Sequence, residues 1–295
     1  MASVQDIKRR VRSIRNIRKV TRAMELVAAA KLRRAQARIE SMRPYAERMQ
    51  ELMVGTARAS SSVRGLPLLQ RREVRRAAIV PLTGDRGLAG AFNGQILREA
   101  FAVERRLRAD GVETRWLVSG KKGASTLRFR GYAIEQAWGG FSQSPRYDDA
   151  QAIAHRVSEL YSEQEVDSVV LVYNHFVSAL VQKVVTQDVL PIPESLLEAG
   201  EDERSQALLG DFIYEPEPEQ ILERLLPVYV ETEVYRALLE SAASEQGARM
   251  TAMRNATKNA GELIDSLTLS MNRARQAEIT QEILEVVAGA DALSA

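Results

Sequence analysis

The two longest helix-compatible stretches of this chain lie at its opposite ends, and that placement limits what it can fold into. From Ser3 to about Ser60 the only helix breakers are Pro44 and Gly55. Apolar residues there step by three and four through Ile7, Val11, Ile14, Ile17, Val20, Met24 and Val27. This spacing returns side chains to one helix face and predicts one long helix, bent near Pro44. Pro227 is the last proline, and from it to about Ala288 the pattern is again helical. Ala256, Ala260, Leu263, Leu267, Ser270, Ala274, Ala277, Gln281, Leu284 and Ala288 alternate by four and three, which is a heptad seam. Such a repeat supercoils left-handedly around a partner, and the partner at hand is the N-terminal helix of the same chain. The mostly small seam residues imply that the helices lie close.

At about 1.5 Å per residue, some 50 N-terminal residues span ~75 Å and some 70 C-terminal residues ~105 Å. The expected product is an antiparallel rod of two unequal helices, with the C-terminal tip protruding singly. That tip, MNRARQAEITQEILEVVAGADALSA, has no Lys or Arg after Arg275, only the acidic Glu278, Glu282, Glu285 and Asp291.

The centre of the chain reads as α/β. RRAAIVPLT (75–83) is a buried-strand candidate, followed by the glycine-rich GDRGLAGAFNG and the helical QILREAFAVERRLRADG. A second strand, VETRWLVS, runs into the loop GKKGAST. After the irregular GGFSQSPRYDDA come the helix AQAIAHRVSELYSE and a third strand, DSVVLVYNHF. VQKVVTQDVLPI offers a further strand, 194–210 reads as a charged loop, and DFIYEP as a short strand behind it. Strands alternating with helices of this length predict a small, largely parallel, Rossmann-like sheet. The expected fold is therefore α plus α/β: a shaft helix over 1–60, a globular domain over 75–215 and a second shaft helix over 218–295.

Composition removes much of enzymology. Cysteine is absent and histidine occurs only as His155 and His175, which excludes disulfides, thiol catalysis, thiolate zinc sites and His-rich metal sites. No run approaches the roughly 20 apolar residues of a membrane span, and MASVQDIKRR shows neither a signal-peptide nor a transit-peptide pattern. A soluble chain that starts inside the cell is expected. The formal net charge of +2 hides an asymmetry, because residues 1 to 50 hold fourteen Lys or Arg against four Asp or Glu. A solvated helix face accounts for this, as does docking against an acidic protein ring. Nucleic-acid binding is disfavoured, since no aromatic residues interleave for stacking and no groove-reading motif is present.

The loop Gly84-Asp85-Arg86-Gly87-Leu88-Ala89-Gly90 stands where a dinucleotide fold turns around phosphate, but its spacing is GxxGxxG, and tight turning with close packing explains it better. Gly120-Lys121-Lys122-Gly123 lacks the further residues of a P-loop and reads as an exposed basic turn. His175 ends an apolar strand and is expected to hydrogen-bond locally. No catalytic residues, cofactor or metal ligands are assigned.

Five stretches together resemble one family. IKRRVRSIRNIRKVTRAMELVAAAKLRRAQ at the start, VETEVYRALLESAASEQGARMTAMRNATKNAGELIDSLTLSMNRARQAEITQEILEVVAGA at the end, and DRGLAGAFNG, GKKG and YEPEP between them are similar to the gamma subunit of F-type ATP synthases, the central rotor shaft. The resemblance implies a head of three alpha and three beta subunits enclosing the coiled coil, with the α/β domain at the foot against a membrane-embedded c ring and an epsilon subunit. It carries coupling contacts to beta subunits onto Met24, Arg275, Gln276, Thr280 and Glu282, and foot contacts to the c ring and epsilon onto Phe212, Tyr214 and Glu215. It implies a non-catalytic rotor that couples proton or sodium-ion flow to ATP synthesis or hydrolysis. The chloroplast relatives' cysteine-bearing redox insertion has no counterpart here. With no transit segment either, the expected setting is bacterial, peripheral on the cytoplasmic side of the plasma membrane. An α/β enzyme bearing a coiled-coil arm is the competing class, to be separated by nucleotide titration of the isolated chain.

Overall fold

A computed structural model describes residues 4–60, 65–193 and 216–294. Helix α1 runs Val4–Ala59 without interruption through Pro44. The central elements are β1 (Arg76–Pro81), α2 (Phe92–Ala109), β2 (Glu113–Ser119), α3 (Lys121–Phe129), β3 (Gln136–Trp138), α4 (Tyr147–Ser162), β4 (Ser168–Phe176) and β5 (Gln182–Leu190). A final helix, α5, spans Pro218–Ser294. It begins before Pro227 and contains that proline, so the helix is longer than its last proline suggests. Phe212, Tyr214, Glu215, the loop 194–210 and all but the last residue of the strand expected at DFIYEP lie outside the described residues.

Contacts divide the chain into two compact units, one of residues 1–28 with 250–295 and one of residues 29–249. In the first unit α1 and α5 pack antiparallel. Ile7 and Val11 are buried with Ile264, flanked by Ile14, Leu267, Met271 and Ala274. Further along, the hydroxyls of Thr21 and Thr257 meet at 2.8 Å, and Arg254 donates to buried Glu25 at 3.1 Å. As numbers rise along α1, those of its partners fall along α5, as expected of a chain folding back on itself.

The heptad period is present on both helices, but its phase differs from the one expected. On α1 the seam leaves the apolar run after Ile14 and continues through Thr21, Glu25 and Ala28, while Ile17, Val20 and Val27 are exposed by 52 to 58%. On α5, Ala260, Leu267 and Ala274 keep their inward places, but the other half of the seam is Thr257, Ile264 and Met271, one residue on from Ala256, Leu263 and Ser270. Leu263 is 48% exposed and Ile264 is 7% exposed. The reason is geometric: one residue turns a helix by about 100°, so two neighbouring stripes share every second position and periodicity alone cannot choose between them.

In the second unit the five strands form one sheet in the order β3-β2-β1-β4-β5. β1 runs parallel to both β2 and β4, β2 is parallel to β3, and β5 returns antiparallel to β4 at the edge. Strand side chains alternate between two apolar layers. Ala78, Val80, Leu82, Leu117, Val169 and Leu171 face a core with residues of α4 and α5. Ile79, Trp116, Val118, Val170 and Val172 face α2 and α3. Burial on both faces is why these strands read as near-continuous apolar runs.

Two central readings are corrected. The segment expected as a loop at GKKGAST is helix α3, entered at Gly120 with φ of 97°; a Cβ there would stand 2.1 Å from the Thr83 carbonyl oxygen, so only glycine allows this approach. The short edge strand β3 was not expected at all. It is too brief to show a period-two pattern, and it is held by pairing to β2. α4 also begins earlier than the apolar pattern indicated, because the Asp149 carboxylate accepts the Arg146 N–H and caps it.

Asp85 ties these connections together. Its carboxylate accepts the N–H groups of Lys121, Gly140 and Ser142 at 2.8 to 3.1 Å, and its own N–H donates to the Ser142 hydroxyl. Partial burial works to raise its pKa, but the hydrogen bonds from Gly140, Ser142 and Lys121 outweigh it and hold the carboxyl below its ordinary 3.8. A lowered native pKa means stability that is present above the unfolded value and lost as pH falls through the folded one. Asp85→Ala should therefore cost about 2 kcal/mol at pH 7 in chemical denaturation, with the gap from wild type closing below about pH 4. The seam phase is checked at adjacent positions: Ile264→Ala should destabilise the coil by about 2 kcal/mol, and Leu263→Ala by less than about 0.5 kcal/mol, read from thermal melts.

Candidate coupling surface

The last turns of α5 have no partner helix among the described residues. From Arg275 to Leu284 and on to Ala288 every side chain is exposed, including Ile279, Ile283, Leu284, Val286 and Val287. An isolated helix in water is sustained by burying a face. A run of exposed branched apolar residues on a single helix therefore marks a surface that another molecule covers. The stretch bears one cation, Arg275, followed by Glu278, Glu282 and Glu285.

Four of the expected contact residues lie in this stretch. Gln276 and Thr280 stand one turn apart on the same side, with the Thr280 hydroxyl donating to the Gln276 carbonyl at 2.9 Å. That bond uses only the Gln276 backbone, and the side chain is exposed. Arg275 and Glu282 are two turns apart and both exposed. Neither forms an ion pair with another described residue, so both charges are available to a partner.

Met24 lies elsewhere. Its neighbours on α1, Thr21 and Glu25, are level with Thr257 and Arg254. Arg275 is about 20 residues further along α5, or ~30 Å. The structure thus sorts the five expected residues into two groups, with half-buried Met24 apart from the other four.

Around Met24 is a cluster that spacing did not reveal. Glu25 is buried in the seam and receives Arg22 at 2.8 Å and Arg254 at 3.1 Å. Burial works to raise its pKa, yet the bonds from Arg254 and Arg22 draw it below the ordinary carboxylate value. A glutamate at a heptad core position, 4 residues after Thr21, is the one sequence sign of this polar rung. The neighbouring exposed face of α1 presents Ile17, Val20 and Val27 among Arg15, Arg18 and Lys19. Apolar patches ringed by cations suit an acidic protein surface.

Beside the glycine loop of the second unit, the described residues of α5 fill the place where this topology opens a crevice. In a doubly wound sheet the ligand site lies beyond the carboxyl ends of the strands where the order reverses, here between β1 and β4. α5 already occupies that place. Ser241 donates to the carbonyl of Leu82 just after β1, and Ser244 to that of Asn174 on β4, at 3.1 and 3.0 Å. The Glu245 carboxylate sits against Gly84, and Arg249 reaches the Gly87 carbonyl. His175 behaves as expected, bonding through Nδ1 to Glu240 in a cleft of about 410 Å³ whose charged walls include Glu233 and Arg236, themselves paired at 2.6 Å.

The chain thus consists of a two-helix coil with an exposed apolar tip and a doubly wound sheet whose strand-reversal crevice is filled by its own helix. The chain belongs to the ATP synthase family, which matches residues 3–293. It is 48% identical to the ATP synthase gamma chain of Rubrobacter xylanophilus over the full length of both chains. It is 46% identical to that of Moorella thermoacetica, over 99% of this chain and 100% of the relative. Among solved structures it is similar to a chain of the central stalk and c-ring of the Tetrahymena thermophila mitochondrial ATP synthase, at 31% identity, TM-score 0.59, and coverage of 80% of this chain and 99% of that one. A chain of the Euglena gracilis mitochondrial ATP synthase shares the fold at TM-score 0.69 and 19% identity, over 98% of this chain and 94% of that one.

Because α5 fills the switch-point crevice, calorimetric titration of the isolated chain with ATP or ADP should show no saturable heat at concentrations up to about 1 mM, a Kd range in which weak specific sites register.

Proposed function

We propose that this chain is the central stalk of an F-type ATP synthase, turning inside a head of three alpha and three beta subunits and coupling ion flow through a membrane c ring to ATP synthesis or hydrolysis. The reading makes it a mechanical subunit, with bond-making left to the beta subunits. What supports it most directly is the bare stretch of α5 from Arg275 to Ala288, where exposed apolar side chains occur with no cation after the first position. A shaft turning in a sleeve must avoid any contact strong enough to trap one orientation. Salt bridges do this when desolvated, whereas apolar surface against an apolar collar changes little with angle.

The shaft must push as well as turn. Met24 is the smooth contact, and about 30 Å further along α5, at the start of the bare stretch, Arg275, Gln276, Thr280 and Glu282 supply hydrogen bonds made in one orientation and broken in the next. The cationic face of α1 meets acidic segments of the beta subunits, each exposed pair contributing only about 0 to 1 kcal/mol. Phe212, Tyr214 and Glu215 stay assigned to the c ring and epsilon subunit. The division into a shaft helix over 1–60, a globular domain over 75–215 and a second shaft helix over 218–295 belongs to the same reading. No helix among the described residues is long and apolar enough to cross a membrane. The bacterial gamma chains it matches support a place on the cytoplasmic side of a bacterial plasma membrane.

Affinity purification of the tagged chain from its host should bring down alpha and beta subunits together, and recovery of the chain alone would defeat the reading. In assembled complexes, Met24→Lys should add an ionic contact and lower ATP-driven ion pumping relative to ATP hydrolysis by about fivefold, measured in inverted vesicles. Pumping equal to wild type would remove Met24 from the coupling contacts.

A further inference from the structure

The segment of α5 that fills the switch-point crevice is unusually polar for a buried position. Ser241, Ser244, Glu245, Gln246 and Arg249 are all buried, and Glu245 is only 1% exposed. Glu245 and Arg249 pair at 2.6 Å one turn apart, and the Arg249 guanidinium extends to the Gly87 carbonyl at 3.3 Å. The serines clasp the carbonyls of Leu82 and Asn174 on either side of the strand reversal. Several groups here lack a partner among the described residues, namely both amide atoms of Asn174, Gln246 Nε2 and Arg249 Nη1.

For stability alone this is a poor choice, since buried polar groups must recover the hydration they lose and an apolar surface of similar shape does as well or better. What hydrogen bonds add is direction. An apolar helix face can slide or roll on a sheet with little change in buried area, whereas Ser241, Ser244 and Arg249, bonded to the fixed carbonyls of Leu82, Asn174 and Gly87, hold the helix at one rotation and one height, with Glu245 holding Arg249 in place. Gly84 serves the same end, because a Cβ there would stand 3.0 Å from the Glu245 carboxyl carbon.

We infer that Ser241, Ser244, Glu245 and Arg249 form a torque joint, locking the rotational setting of α5 on the sheet so that force passes between helix and globular unit without slip. These are positioning residues, and the inference rests on the rotor reading above. It also accounts for the crevice: the place where this topology ordinarily holds a ligand is used to grip the shaft.

The test uses the complete membrane complex carrying Glu245→Met with Arg249→Met. Replacing both partners of a buried pair by apolar groups of similar size leaves folding nearly unchanged, so the complex should assemble and hydrolyse ATP within about twofold of wild type. ATP-driven ion pumping per ATP hydrolysed should fall about fivefold. A pumping ratio equal to wild type in the assembled double variant overturns the joint. Arg249→Lys is the second probe, keeping the charge while losing the guanidinium whose Nη2 reaches both the Gly87 carbonyl and Glu245; it should assemble and show a smaller loss of the ratio. Failure of the Arg249→Lys complex to assemble would assign the pair to folding and also overturn the joint. A wild-type chain that does not assemble with alpha and beta subunits, or a wild-type complex that does not pump, sinks the rotor reading and the joint with it.

Discussion

A helix of 77 residues, α5, must find something to lie against along its length, because a single helix in water gains too little from its own hydrogen bonds to stay formed. Much of the structure follows from what it finds. Over residues 250–274 it lies against α1 through Ile264, Leu267 and Met271. Over 218–249 it supplies Leu222, Leu226, Val230, Val234 and Ala237 to the core under the sheet. Past Arg275 it has no described partner, and the exposed apolar residues there are the strongest structural sign that this chain works inside a larger assembly.

The same helix carries three kinds of contact in succession, and their chemistry differs with their task. The core segment is apolar and gains stability by excluding water. The crevice segment is polar and gains orientation, at the cost of several buried groups left without partners. The tip is apolar and uncommitted. In the rotor reading these correspond to an anchor, a joint and a bearing, arranged in that order along one continuous element.

Much of this was legible beforehand. Two long terminal helices, a largely parallel sheet with β1, β2 and β4 in their places, and the change of charge after Arg275 all follow from residue pattern, and the resemblance to gamma subunits rests on quoted motifs. The failures have a common cause. Leu263 and Ile264 are equally apolar, and a period near 3.5 fits a stripe through either. Thr21 and Glu25 were passed over because polar residues do not score as seam, although here they pair with Thr257 and Arg254 across it. GKKGAST lacks the length to show a helical period, and β3 lacks the length to show any. The crevice contacts of Ser241, Ser244, Glu245 and Arg249 join residues about 70 to 160 positions apart, with no local mark on the helix that carries them.

The sequence alone determined that both ends are helical, that they can wind around each other, and that the middle is a two-faced apolar sheet, because these depend on spacing within short windows. Only the tertiary structure decided which stripe of each helix turns inward, which charges are buried, and what occupies the strand-reversal crevice. Those outcomes depend on which distant surface each side chain meets. A periodic pattern specifies that a face will be buried; the partner it meets selects the face.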